Sequence, residues 1–129
     1  MTDNSTIQVL VVEDDAAIRR LVSMVLKRNG YDVETASDGL EAVFKLGLND
    51  YSVIVLDLMM PNLDGFTFIE TIAANDPDRL RKIIVTSAAS PAVIRERMRG
   101  APFSLMPKPF DIRELIDCVS ACVDAQKAS

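Results

Sequence analysis

Histidine and tryptophan are absent from this 129-residue sequence, and only two cysteines are present. Without histidine there is no Ser-His-Asp triad, no phosphohistidine of the chain's own and no basis for most transition-metal sites. Cys118 and Cys122 lie four apart in a segment of helical spacing. That suits two reduced thiols beside a core face and makes neither a CxxC redox pair nor a zinc site. Basic runs are missing too. Lys and Arg number 14 against 19 Asp and Glu, and the net charge of −5 argues against direct nucleic-acid binding by this chain, because affinity for phosphate backbones comes mainly from clustered Lys and Arg. No apolar stretch approaches the roughly 20 residues that span a bilayer. Met1 to Ser5 lacks the parts of a signal peptide, so a cytoplasmic protein with no membrane partner is expected. Repeats, linkers and low-complexity segments are absent as well. The length and a 49% hydrophobic composition suit one compact domain, read here as residues 7–124 between short tails at 1–6 and 125–129.

What is present is a series of short apolar runs, each followed by a helical pattern. Val53-Ile54-Val55-Leu56 leads straight into Asp57 and then Pro61-Asn62-Leu63-Asp64-Gly65, the pattern of a strand buried on both faces that delivers a carboxylate to the rim of a sheet. Ile7 to Val12 ends likewise in Glu13-Asp14-Asp15, with Asp15 suited to cap a helix whose apolar face is Ile18, Leu21, Val22, Val25 and Leu26. Tyr31 to Ala36 alternates polar and apolar residues, as an edge strand does, and a helix from Ser37-Asp38 to about Leu48 follows. Phe66, Ile69, Ile72 and Ala73 mark a third helix, with a turn at Asn75-Asp76-Pro77-Asp78. Lys82 to Ala88 reads as the fourth strand, Ser90-Pro91 as a helix start with a stop at Gly100, and Phe103 to Met106 as the fifth strand. Asp111-Ile112-Arg113-Glu114 is a capping box for the last helix. This is (βα)5, an α/β doubly wound, flavodoxin-like parallel sheet of order 2-1-3-4-5.

That order brings Glu13, Asp14 and Asp57 to one rim. Clustered carboxylates repel, and a hard cation relieves the repulsion. Oxygen-only ligation fits Mg²⁺ or Mn²⁺ with a phosphate completing the shell. Ser87 and Lys108, at two further strand ends, supply a hydroxyl donor and a cation for phosphoryl oxygens, and Asp57 is the candidate nucleophile. Each piece alone has a blander reading as helix capping or turn chemistry. Convergence of all four strand ends at one rim is what points to a site.

Together, Glu13-Asp14, Asp57 with Pro61 and Gly65, Ser87-Ala88 and Lys108-Pro109-Phe110 resemble the receiver domain of two-component response regulators, over about residues 7 to 124 and in the manner of a stand-alone chemotaxis-type receiver. The resemblance implies a phosphoprotein whose Asp57 takes a phosphoryl group from a sensor histidine kinase or histidine phosphotransfer protein, and which catalyses only its own phosphorylation and dephosphorylation. It implies Mg²⁺ on Asp14, Asp57 and the Met59 carbonyl, with Glu13 acting through water. Lys108 and Ser87 would contact the phosphoryl oxygens, Ser87 as the switch hydroxyl. Thr86 is its rival; counting from Ala88 favours Ser87, and strand alternation is expected to turn Thr86 away. A downstream protein would dock on the face of the fourth helix, fifth strand and fifth helix, with Arg95, Arg97 and Arg99 as a partner surface or a merely solvated face. Leu105 stands where the family carries its aromatic switch residue, and Phe103 is expected in the core rather than as a substitute for that aromatic. The competing readings are a Mg²⁺-dependent phosphohydrolase that uses an aspartyl phosphate, and a receiver cut from a larger transcription factor or hybrid kinase. Haloacid dehalogenase-type phosphohydrolases want a second Asp two residues after the nucleophile, and Met59 occupies that place.

Overall fold

The computed structural model describes residues 7–60, 63–98 and 102–128. Pro61, Asn62, Arg99, Gly100 and the tail before Ile7 lie outside the described residues. In chain order the elements are β1 (Gln8–Val12), α1 (Ala16–Arg28), β2 (Asp32–Ala36), α2 (Gly39–Leu48), β3 (Val53–Asp57), β4 (Met59–Met60), β5 (Leu63–Asp64), α3 (Gly65–Asn75), a 3₁₀ helix (Pro77–Lys82), β6 (Ile83–Ser87), α4 (Pro91–Arg97), β7 (Ser104–Pro107) and α5 (Ile112–Ala128). The main sheet is parallel with order β2-β1-β3-β6-β7, so its five strands run 2-1-3-4-5 in chain order.

Central β3 is buried at every position. Its alternate side chains enter two separate cores, because a strand with helices on both faces needs apolar residues on both. Ile54 and Leu56 pack with Leu46, Phe68, Ile72 and Ile94 beneath α2, α3 and α4. Val53 and Val55 pack with Val22, Leu26, Leu115 and Val119 beneath α1 and α5. Glu34 on β2 is only half-buried, as an edge strand permits. Helix starts follow from local chemistry: Asp15 accepts from the N–H groups of Ala17 at 2.9 Å and Ile18 at 3.1 Å, Asp38 from Glu41 at 2.8 Å, and Ser90 from Val93 at 3.3 Å.

Several sequence expectations change. The Asp76–Asp78 turn is wound into the 3₁₀ helix, with Asp76 capping it through the Asp78 N–H. The loop expected after Asp57 carries two short strands, β4 and β5, paired antiparallel. Helix α5 runs on to Ala128 instead of yielding to a polar tail after 124. Gln126 explains part of that, since its amide donates to the Ser52 carbonyl at 2.7 Å, next to the start of β3. Leu21, placed by its spacing on the inner face of α1, is 47% exposed. Phe68 rather than Phe66 is the deeply buried aromatic of α3, and Arg97 stacks over the half-buried Phe66 ring at 4.1 Å. Arg97 is therefore engaged within the domain and is not simply part of an open basic surface; Arg95 is exposed. Phe103 packs against the α1/α5 core. Both cysteines are free thiols, Cys122 buried and Cys118 half-buried.

Candidate functional site

The rim is built by the carboxyl ends of β1, β3, β6 and β7. Beyond β1, the Glu13 N–H donates to the Ala36 carbonyl at 3.0 Å, and the Arg19 guanidinium donates to the Glu13 carbonyl at 2.9 Å. These bonds hold the β1–α1 turn so that Glu13 points inward, almost fully buried, while Asp14 stays exposed. One carboxylate oxygen from each of Glu13, Asp14 and Asp57 lies within 4.8 Å of the others. Lys108 closes the cluster. Its Nζ donates to Glu13 Oε1 at 2.7 Å and to Asp57 Oδ2 at 3.1 Å.

Burial pushes the Glu13 carboxyl up to about 7 against the opposing pull of Lys108, with Asp57 adding to the rise. Burial pulls the Lys108 ammonium down, but the Glu13 and Asp57 carboxylates outweigh it and hold the group above its ordinary value. Lys108 brings one positive charge to the three carboxyl groups, while the Arg19 guanidinium is taken up by the backbone carbonyls of Glu13 and Asp14. An all-oxygen donor set with one exposed carboxylate is the chemistry of a hard divalent ion, so the residues present fit Mg²⁺ or Mn²⁺. Backbone N–H and C=O groups of the β4–β5 hairpin follow Asp57 directly, and the hairpin is anchored where Leu58 N–H donates to the Thr86 carbonyl at 3.2 Å.

The two adjacent hydroxyls are separated by register. Asp57 pairs with Thr86, and Thr86 pairs with Met106. Paired residues of a parallel sheet point to the same face, and side chains alternate along each strand. Val55, Ile84 and Met106 accordingly share the α1/α5 core. Thr86 therefore leaves the sheet on the face of Asp57, with Lys108 two positions beyond Met106, while Ser87 pairs with Pro107 on the other face. This corrects the expectation that alternation turns Thr86 away. Ser87 is occupied locally: its Oγ accepts from the Ala89 N–H at 3.1 Å, and its carbonyl accepts from the Lys108 N–H at 2.7 Å. Reading the register from sequence required knowing how the chain closes β3 onto β6, and the unforeseen 3₁₀ helix lies in that connection.

The family model for the response regulator receiver domain matches residues 9–120. The chain belongs to the response regulator receiver family. This receiver is 36% identical to the response regulator MprA of Mycobacterium sp. (strain KMS) over 113 residues, which is 85% of this chain and 47% of that protein. The chain thus spans about half the length of the curated relatives it matches. Among solved structures, the receiver domain of Francisella response regulator 1452 superposes with a TM-score of 0.82 at 33% identity, covering 92% of this chain and 98% of that one. The response regulator TrrA of Thermotoga maritima, solved in complex with Mg²⁺–BeF, superposes with a TM-score of 0.74 at 28% identity, covering 90% of this chain and 98% of that one. Receiver domains are signalling switches that interact with histidine kinases and bind Mg²⁺ at an acidic pocket. Among the described residues, no helix is long and apolar enough to cross a membrane.

Proposed function

We propose that this receiver is the phosphoacceptor of a two-component or phosphorelay pathway in the cytoplasm, with Asp57 as the residue modified. The observation that carries the reading is the cluster itself: Asp57 at the end of a fully buried strand, within 4.8 Å of Glu13 and Asp14 and held at 3.1 Å by Lys108. An Asp57 carboxylate oxygen attacks the phosphorus of a phosphohistidine on a histidine kinase or phosphotransfer protein. The O–P bond forms as the P–N bond to the imidazole breaks, and the departing imidazole takes a proton from solvent. Asp14, Asp57 and the Met59 carbonyl would hold Mg²⁺ or Mn²⁺, with Glu13 acting through water. The ion supplies charge neutralisation for the phosphoryl oxygens when bound. Lys108 exchanges its hold on the carboxylates for one on a phosphoryl oxygen. The downstream partner docks on the α4–β7–α5 face. The expectation of no direct nucleic-acid contact concerns these 129 residues alone and rests on their net charge of −5.

Thr86 takes the role of switch hydroxyl in preference to Ser87, because it shares the face of Asp57 and Lys108. One hydrogen bond to a charged oxygen is worth roughly 1.5–3 kcal/mol, equivalent to about 10- to 100-fold in affinity. Thr86→Ala should therefore raise the half-saturating beryllofluoride concentration, in the presence of Mg²⁺, at least about tenfold, while Ser87→Ala leaves it within about twofold. The reverse ranking would return the role to Ser87.

The phosphoacceptor reading is tested by incubating the protein with acetyl phosphate and Mg²⁺ and weighing it intact. The wild type should gain one phosphate, chelation should abolish the gain, and Asp57→Asn should gain none. Full labelling of Asp57→Asn would reject the assignment.

A further inference from the structure

Helix α2 carries apolar side chains on two sides. Ala42 and Leu46 face the core, yet Leu40, Val43, Phe44 and Leu48 are 84%, 58%, 68% and 66% exposed. Their spacing of i, i+3, i+4 and i+8 makes a continuous stripe along the outer side of the helix. Gly47 sits within that stripe, and a Cβ placed on it would meet nothing within 4 Å. The stripe borders a groove of about 350 Å³ between α2 and α3, lined by Val43, Gly47, Phe68, Thr71 and Ile72 among others. Contiguous apolar surface of this extent on a soluble domain marks an interaction site.

We propose that this face binds a second copy of the chain, the two α2 helices packing antiparallel across a two-fold axis that passes between Val43 and Phe44. In that register Leu40 of one copy lies over the Gly47 notch of the other, and Val43 meets Phe44. The stripe is thus complementary to itself, as a two-fold interface requires. The exposed parts of Leu40, Val43, Phe44 and Leu48 together present roughly 500 Å² per copy, the one aromatic among them being the largest single contributor. Two copies with the groove rim reach about 1,200 Å², the lower edge of stable interfaces. The charges beside the stripe are already matched, since Lys45 pairs with Glu41 of the same helix at 3.4 Å, so the contact desolvates no lone ion. Antiparallel packing also sets the helix dipoles in their favourable arrangement. The proposal does not depend on phosphoryl chemistry at Asp57.

Sedimentation measurements between about 1 µM and about 1 mM should show a reversible dimer with a dissociation constant on the order of 10–100 µM. Because each copy carries a net charge of −5, added NaCl should tighten it. Phe44→Glu should weaken the dimer at least tenfold and leave the monomer's urea midpoint unchanged, the site being exposed. Gly47→Met should also weaken it at least tenfold, while the monomer melts no lower, because the notch is open in one copy and helix propensity improves. A monomer across the whole range would overturn the proposal and leave the stripe to a different protein. A dimer unaffected by either substitution would overturn it by placing the contact on another face.

Discussion

Lys108→Met is expected to lower the unfolding free energy by about 2–4 kcal/mol in metal-free buffer, the usual consequence of removing one member of a buried charged group. The physical case rests on two distances. The Lys108 ammonium lies 2.7 Å from Glu13 Oε1 and 3.1 Å from Asp57 Oδ2, and both acids have side chains only 5% exposed. Methionine keeps most of the length and volume of the stem, so little of the loss is a packing effect. What remains is two carboxylates in a desolvated rim with no cation between them. Protonation of Glu13, already held near 7, sets the upper limit on the loss. In a Glu13→Gln background the same change should cost only about 1 kcal/mol, because one of the stranded charges is gone and the two sites couple. Urea unfolding of the four proteins at one pH in EDTA gives the cycle. A single-substitution loss below about 0.5 kcal/mol, within ordinary surface variation, would mean that Lys108 does not hold the rim together.

Gly65→Ala is expected to cost about 2–4 kcal/mol and to disturb the site as well, through overpacking against backbone. Gly65 is the first residue of α3 and is buried. A Cβ there would lie 2.8 Å from Leu58 Cα and 2.9 Å from the Leu58 carbonyl oxygen, as well as 2.6 Å from Leu58 Cδ2. The side-chain atom could swing away. The backbone atoms cannot, because the Leu58 N–H is bonded to the Thr86 carbonyl at 3.2 Å. Either the start of α3 or the residue after Asp57 must shift, so labelling by acetyl phosphate should slow at least about tenfold, as small misplacements of reacting groups do. Gly47→Ala is the control, since its Cβ enters open space and a helix-favouring residue replaces glycine. Thermal unfolding of Gly65→Ala within about 0.5 kcal/mol of wild type would show that the close approach is not required.

Most of the architecture was legible because strong local signals agreed with one another. The apolar runs leading into Glu13 and Asp57, the edge strand ending at Ala36, and the caps at Asp15 and Ser90 all act within a few residues and appear where the pattern placed them, while the fourth strand is shorter than Lys82 to Ala88, running from Ile83 to Ser87. The same holds for the convergence of Glu13, Asp14, Asp57 and Lys108, which follows once the strand order is known. What was not legible depends on distant parts of the chain. Which of Thr86 and Ser87 leaves the sheet on the face of Asp57 turns on the pairing of β3 with β6, and one residue of register moves a side chain to the opposite face. Gln126 looked like a polar tail because its partner, the Ser52 carbonyl, is 74 positions away. Leu21 fits the period of α1 yet falls at the edge of the covered face, beside Lys108, Pro109 and Phe110. The outward stripe of α2 was hidden for the opposite reason: a helix apolar on two sides gives no clear inner face, and only the packed structure shows which half is left bare.

The central claim is that Asp57 itself carries the phosphoryl group. An acyl phosphate is reduced by borohydride to the alcohol, so the modified aspartate becomes homoserine and can be located by peptide sequencing. After treatment with acetyl phosphate and Mg²⁺, homoserine should appear at position 57 and at no other acidic residue. Homoserine at Glu13's neighbour Asp14, or a phosphorylated protein with Asp57 intact, would contradict the account.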